Sequence, residues 1–338
     1  MKKFDSRNYQ LINQFKEREW IVESGVSEEA LKKEFDELMA NKFGLSKALI
    51  KAKTYELLAE HSRIAVDKED IFQDKLFNGN LLNTQKRSWE KEVTDKFMSK
   101  QTEQRDGAWH RYGTYNANGD YGHTSPNSKL LLEVGVTGLL ERVEKASLRE
   151  GITEKQNDFY NSCKITLGAF LRYMSRLADG IEPYNKENAD ALRSLTVGAP
   201  KNSYEAMQLL IAYFFFHEYV GKTRVRTLGR LDVLLYPFYK NDIEKGIYTK
   251  DEIKEMLKFF LNKFWTAKVP FDLPLCLGGD ETSEISYLIV ETYNELNIHS
   301  PKIHIRVSDK TPISFIKLVL ECIRGGNSSF VFVNDNVV

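Results

Sequence analysis

The last third of the chain alternates strand and helix signals regularly, and that alternation constrains the fold more than any other feature. Thr249 and Glu252 form a capping box that opens a helix running through Trp265. Phe271 to Leu277 reads as a short buried strand, and Ser283 to Asn297 as a helix. Lys302 to Val307 reads as a strand through alternating Ile303, Ile305 and Val307. Thr311-Pro312 pairs an N-cap with proline at the first helical position, Gly325-Gly326 closes that helix, and Ser329 to Val333 is a strand. Strands separated by helices of this length run parallel with right-handed crossovers. Their carboxyl ends are then Gly278-Gly279-Asp280, Ser308-Asp309 and Asn334-Asp335-Asn336, on the side where parallel α/β folds place their chemistry.

Upstream, residues 1–105 read as a helical amino-terminal region and 106–338 as the domain that carries the strands, with no clean linker between them. Ser27 is an N-cap with Glu28 and Glu29 in the first turn, and Leu45 to Ile64 is a further helical run. Asp67 to Asn83 reads as a loop anchored by Ile71, Phe72, Leu76 and Phe77. Arg105 to Pro126 is rich in Gly, Asn, Tyr and His without a sustained period, which marks a functional loop. Helices follow from Ser128 to Ala146, from the Thr153/Gln156 capping box onward, and from Ser203. Gly229 breaks the chain before Arg230 and Asp232, and an apolar run from Val233 to Tyr239 is interrupted by Pro237.

Composition excludes several function classes. Lys plus Arg and Asp plus Glu are both 48, a formal net charge of +0 that disfavours a general nucleic-acid or membrane-surface binder. Met1 to Tyr9 has no apolar core for a signal peptide, and the longest apolar stretch, Leu209 to Phe216, is too short to span a bilayer. Cys163, Cys276 and Cys322 are isolated thiols, which points to a reducing cytoplasm. Phe216-His217-Glu218 fails as a zinc motif because the second histidine would fall at Gly221. His299 and His304 have no third ligand, so no metal site is expected, and no Walker motif, GxGxxG or serine elbow is present.

Each remaining candidate has two readings. Gly278-Gly279 exposes backbone N–H groups to an anion, or is simply a tight turn. His123, in Tyr121-Gly122-His123-Thr124-Ser125-Pro126, orients a substrate hydroxyl or carboxylate, or bonds a nearby carbonyl. Asn116 and Asn118 lie just upstream. Arg230 and Asp232 read as a structural ion pair, with each other or with the core, where charge is costly unless paired. Arg306 approaches the same cavity or pairs with Asp309 or Asp280.

A set of motifs then resembles one family. Gly229-Arg230-x-Asp232, followed by Pro237-Phe238-Tyr239, is similar to the Gly-Arg-x-Asp-x-x-Leu-x-Pro-Tyr-Tyr signature of glycyl radical enzymes of the pyruvate formate-lyase type, with Phe238 where one Tyr is common. Gly122-His123, Glu205-Ala206-x-Gln208, Leu277-Gly278-Gly279, Ser283 to Tyr287, Pro301-x-Ile303-x-Ile305-Arg306-Val307 and Asn334-Asp335 follow in the family's order. The resemblance implies an α/β fold: a helical amino-terminal region plus about half of a barrel that the family builds from two half-barrels. It implies a substrate pocket lined by His123, Asn116, Thr227, Gly278, Gly279, Arg306 and Asn334, with Thr227 where relatives often carry Ser. It also implies radical C–C, C–O or C–N cleavage of a small metabolite, in anaerobic metabolism. The family stores its radical on a glycine, installed by a partner enzyme that uses S-adenosylmethionine and an iron–sulfur cluster, and passes it to a cysteine thiyl. Arg306-Val307-Ser308-Asp309-Lys310 lacks the glycine of the radical loop, and none of the three cysteines matches the thiyl motif. The resemblance therefore implies that both radical residues lie beyond Val338, that this chain alone is inactive, and that a carboxyl-terminal half or a homo-oligomer completes it. A non-catalytic scaffold or split-enzyme subunit, and an unrelated parallel α/β barrel with an anion site, are the alternatives.

Overall fold

In the computed structural model, the described residues are 2–4, 21–23, 25–77, 79–113, 124–221, 227–266 and 274–337. The amino-terminal part pairs a small antiparallel sheet with helices. Its strands are β1 (Ile21–Glu23), β2 (Arg63–Val66) and β3 (Lys75–Phe77), with β2 in the middle. Helices α1 (Glu28–Ala40) and α2 (Lys47–His61) start where Ser27 and Ser46 accept backbone N–H bonds from Ala30 and Leu49. Two more helices follow, α3 (Leu81–Phe97) and α4 (Lys100–Arg111). The expected loop at 67–83 thus contains β3, and the helical run ending at Ile64 stops at His61, where β2 takes over. The irregular segment begins later than Arg105 because α4 runs to Arg111.

The middle of the chain is helical: α5 (Ser128–Ser147), α6 (Glu154–Ile181), α7 (Lys186–Val197) and α8 (Ser203–Phe215). Thr153 and Gln156 cap α6 reciprocally, and its face of Phe170, Tyr173, Met174, Leu177 and Ile181 packs on α2, α5, α7 and β2. Within α5 the chain kinks at Gly135, whose φ of 66° suits glycine, and a Cβ there would lie 2.7 Å from the Gly198 carbonyl oxygen. Helix α8 is buried nearly all round, as a central helix must be, and runs into a π-helical turn at Phe216–Val220. Its Gln208 exchanges bonds with Gln73 (Gln208 Nε2 to Gln73 O 3.0 Å, Gln73 N to Gln208 Oε1 3.1 Å), which ties the 67–75 segment to the core.

That segment also carries a buried charge cluster. Lys263 Nζ lies 2.7 Å from Asp70 Oδ2 and 2.6 Å from Asp74 Oδ1, and it donates to the Phe72 carbonyl at 2.6 Å. Asp74 also receives Lys75. Burial alone would raise the Asp74 pKa, but Lys263 and Lys75 hold it below the usual carboxylate range.

The carboxyl-terminal third is α9 (Leu231–Lys245), α10 (Lys250–Thr266), β4 (Leu275–Gly278), α11 (Glu284–Leu296), β5 (Ile303–Val307), α12 (Ile313–Arg324) and β6 (Phe330–Asn334). The three strands are parallel in the order β4-β5-β6, with Leu275, Ile303 and Phe330 in one row. Arg230 forms a parallel bridge to Cys276 on the outer side of β4. Helix α9 corrects the reading of an apolar run broken by proline. Pro237 sits inside it, and burial of Leu231, Leu235 and Tyr239 together with a left-handed Gly246 cap outweighs the lost hydrogen bond. Helix α12 starts one residue later than expected, with Pro312 at its N-cap. The buried side chains form one cluster from Leu31 to Phe330.

Candidate functional site

The sheet ends in a turn that only glycine can make. Gly278 has φ 86° and Gly279 φ 75°. A Cβ on Gly278 would lie 2.9 Å from both the Arg306 carbonyl oxygen and the Phe315 ring, and one on Gly279 would lie 3.1 Å from Asp335 Oδ2. Asp232, fully buried in the first turn of α9, fastens this turn from beneath. Its Oδ2 accepts from the Gly278 N–H and the Ser286 hydroxyl, each at 2.7 Å, and its Oδ1 accepts from the Val233 N–H at 2.9 Å. Burial pushes the Asp232 carboxyl up, and the Gly278 and Ser286 bonds partly counter it.

Arg230 reaches over the same turn, donating to the Gly278 carbonyl and pairing with Glu281. The expected ion pair between Arg230 and Asp232 is therefore corrected. Asp232 points into the helix–strand junction, where backbone and hydroxyl donors satisfy it, while the guanidinium runs outward to Glu281.

Strand alternation sends Leu275, Leu277, Ile303 and Ile305 into the helical core, and Cys276, His304 and Arg306 to the half-buried opposite face. Arg306 sits on that face, with its Nε 2.8 and 3.0 Å from the two Asp335 oxygens. This bond raises the Arg306 pKa, and the partner is neither Asp309 nor Asp280. Asp280 instead accepts from the Ser308 hydroxyl at 2.5 Å and pairs with Lys310 at 3.0 Å. Asn336 bonds Asp309 at 3.0 Å, and Asn334 Oδ1 accepts the Asn336 N–H at 2.9 Å. Burial raises the Cys276 thiol pKa, and Arg306 and Arg230 partly offset it.

Gly278, Gly279, Arg306 and Asn334 thus share one end of the sheet, as the strand order requires. Thr227 spends its hydroxyl locally, donating to the Pro274 carbonyl at 3.2 Å and accepting the Gly229 N–H at 2.9 Å. His123 and Asn116 lie outside the described residues. Sequence reasoning missed Asp335, Glu281 and Ser286 as partners. Asp335 was visible within Asn334-Asp335, but its link to Arg306 spans 29 residues and has no local signature. Among the described residues no group of acidic, His or Cys side chains is arranged to hold a metal ion, and no helix is long and apolar enough to cross a membrane.

The glycine turn, the arginines and their carboxylates lie at the carboxyl ends of the parallel strands, the end at which α/β barrels carry their loops. The family model described as pyruvate formate lyase-like matches residues 51–271 and 276–338, so the chain belongs to that family of glycyl radical enzymes. It is 28% identical over 165 residues to trans-4-hydroxy-L-proline dehydratase of Clostridioides difficile, covering 41% of this chain and 20% of that protein. It is 23% identical over 250 residues to (2S)-3-sulfopropanediol dehydratase of Klebsiella oxytoca, covering 63% of this chain and 30% of that one. The fold matches the solved 1,2-propanediol dehydration enzyme of Roseburia inulinivorans with a TM-score of 0.77 at 16% identity, over 99% of this chain and 51% of that one. It matches hydroxyproline dehydratase of Clostridioides difficile with a TM-score of 0.76 at 18% identity, over 99% and 52%. The chain therefore spans about half the length of these solved relatives, and the alternative of an unrelated barrel is set aside.

Proposed function

We propose that this chain forms the substrate-facing sheet end of a glycyl radical enzyme that cleaves a C–C, C–O or C–N bond of a small metabolite. The observation that carries this reading is the convergence of Gly278, Gly279, Arg306 and Asn334 on one end of a parallel sheet in a chain of this family. In this reading those residues, with Thr227, His123 and Asn116, line the pocket. The backbone turn and Arg306 orient the substrate, and Arg230 and Asp232 fix the turn's position. The thiyl cysteine and radical glycine come from outside Met1–Val338. Three placements support this: Cys163 lies on α6, Cys322 is buried on α12, and Cys276 is on β4 rather than on a loop. The cofactor is then a protein glycyl radical, installed by an activating enzyme with S-adenosylmethionine and an iron–sulfur cluster, in an anaerobic cytoplasmic setting.

The test is electron paramagnetic resonance. Residues 1–338, incubated anaerobically with an activating enzyme and S-adenosylmethionine, give no glycyl doublet. Adding a polypeptide with the cysteine loop and an Arg-Val-x-Gly-Tyr segment restores the doublet and substrate cleavage. A doublet from residues 1–338 alone that disappears with Gly325→Ala or Gly326→Ala overturns the reading. A complemented complex that carries the radical but turns over no substrate makes the chain a scaffold.

A further inference from the structure

The turn between α1 and α2 leaves an aromatic ring in water beside a hole that can hold one. The Leu45 N–H bonds the Lys42 carbonyl at 3.0 Å, and Gly44, at φ 81°, takes the third position of this turn. Phe43 takes the second position, at the tip, where small or polar residues are usual, and it is 99% exposed. Next to it opens a cavity of about 350 Å³, walled by Met39 and Ala40 of α1, Leu45, Ile50 of α2 and Trp89 of α3, with Phe43 at its edge. An apolar cavity of roughly 150 Å³ suffices for benzene, so a phenyl ring fits.

The apolar surface continues from Trp89 along α3. Val93 and Phe97 follow at four-residue steps on the same helix face and are 55% and 75% exposed. Single exposed apolar residues are ordinary, but a ridge that ends in a hole with a free ring beside it marks a contact surface. At roughly 200 Å² for an aromatic side chain, this patch offers on the order of 500 Å² per copy. Two such patches face to face bury about 1,000 Å², the threshold of a specific interface.

The charges on this side call for no partner of opposite sign. Lys47 pairs with Glu92 at 2.6 Å and lies 5.7 Å from the centre of the Trp89 ring, and Lys91 pairs with Asp95 at 2.7 Å. Lys42, also at the rim, is exposed and screened by solvent. A patch that carries its own knob and its own hole is complementary to itself, because a two-fold axis brings each knob to the other copy's hole.

We propose that a second copy of this chain covers this face in a two-fold dimer, each copy seating its Phe43 in the other's cavity against Trp89. The contact belongs to the helical amino-terminal part and does not depend on the radical chemistry.

Sedimentation equilibrium of the full chain tests this, and a reversible monomer–dimer equilibrium is expected. Phe43→Asp removes the knob, and Ala40→Trp, at an exposed position of the lining, fills the hole. Each raises the dimer dissociation constant about a hundredfold, since two-fold symmetry removes the anchor twice. Mixing the two variants leaves one anchor of the two intact, so the mixed dimer forms about tenfold more tightly than either variant does alone. Leu148→Asp, an exposed apolar position at the carboxyl end of α5, leaves the dimer unchanged. The proposal is overturned by a chain that stays monomeric, with or without an apolar dye in the cavity. It is equally overturned by a dimer that Phe43→Asp weakens no more than Leu148→Asp does, or by a mixture no tighter than its components.

Discussion

Replacing Asp232 with alanine should loosen the turn that positions the candidate site, and the cost follows from the bonds it makes. Asp232→Ala leaves the Gly278 N–H and the Ser286 hydroxyl without their shared acceptor, in a place water does not reach. Each buried donor left unpaired costs about 1–3 kcal/mol. The removed carboxylate was itself costly to bury, as its raised pKa indicates, and losing it returns part of that sum. The net expectation is a loss of about 2–4 kcal/mol, read as a lowered urea midpoint with an unchanged slope. Ser286→Ala alone costs less, because it removes a donor and leaves the acceptor two others. The double variant should then show a coupling of about 1–2 kcal/mol. Asp280→Ala, which breaks exposed bonds to Ser308 and Lys310 at the same turn, should leave the midpoint unchanged. If Asp232→Ala cost under about 1 kcal/mol, or showed no coupling to Ser286, the claim that this carboxylate holds the glycine turn would be wrong.

Two glycines in neighbouring helices should behave oppositely. Gly135→Ala meets a left-handed φ and the Gly198 carbonyl at 2.7 Å, and should cost about 3 kcal/mol or more, whereas Gly168→Ala, in α6 with nothing within 4 Å, should stabilise by about 0.5–1 kcal/mol. Matching thermal midpoints for the two variants would contradict the packing at Gly135. Lys263→Met strands Asp70 and Asp74 in the core and should destabilise by about 3–5 kcal/mol in chemical denaturation, far more than any exposed Lys→Met change. The folded Asp74 pKa lies below its unfolded value, so its contribution is complete above the unfolded value of 3.8 and fades as pH falls through the lower folded value. Acid unfolding of Asp74→Asn should accordingly show a shallower pH dependence in that window.

The parallel sheet was legible because its signals are local. Capping boxes at Thr153/Gln156 and Thr249/Glu252, the glycine pairs, and the alternation through Ile303, Ile305 and Val307 each lie within a few residues. What escaped was decided at long range. Helix α9 survives Pro237 because Leu231 and Leu235 are wholly buried, a fact of packing that no helix propensity contains. Strands β2 and β3 are four and three residues long and, among the described residues, pair with one another and β1, so their pattern is too short to separate from a loop. At the candidate site, strand order placed Gly278, Arg306 and Asn334 together at the carboxyl end of the sheet. The partners did not follow, because Asp232 meets Gly278 across 46 residues and Ser286 across 54.

Strand β6 has a consequence for isotope exchange. The Ile303 N–H bonds the Ser329 carbonyl, and the Asp335 N–H bonds the Val307 carbonyl, so parallel geometry turns every second β6 amide, those of Val331, Val333 and Asp335, toward β5. The amides of Phe330, Phe332 and Asn334 face the other way, where no strand pairs with them among the described residues. In deuterium the segment should therefore label alternately, one amide slow and the next fast. Any polypeptide that docks as a further strand would slow Phe330, Phe332 and Asn334 and leave their neighbours as they were. That alternating record would distinguish edge pairing from a contact made only through side chains.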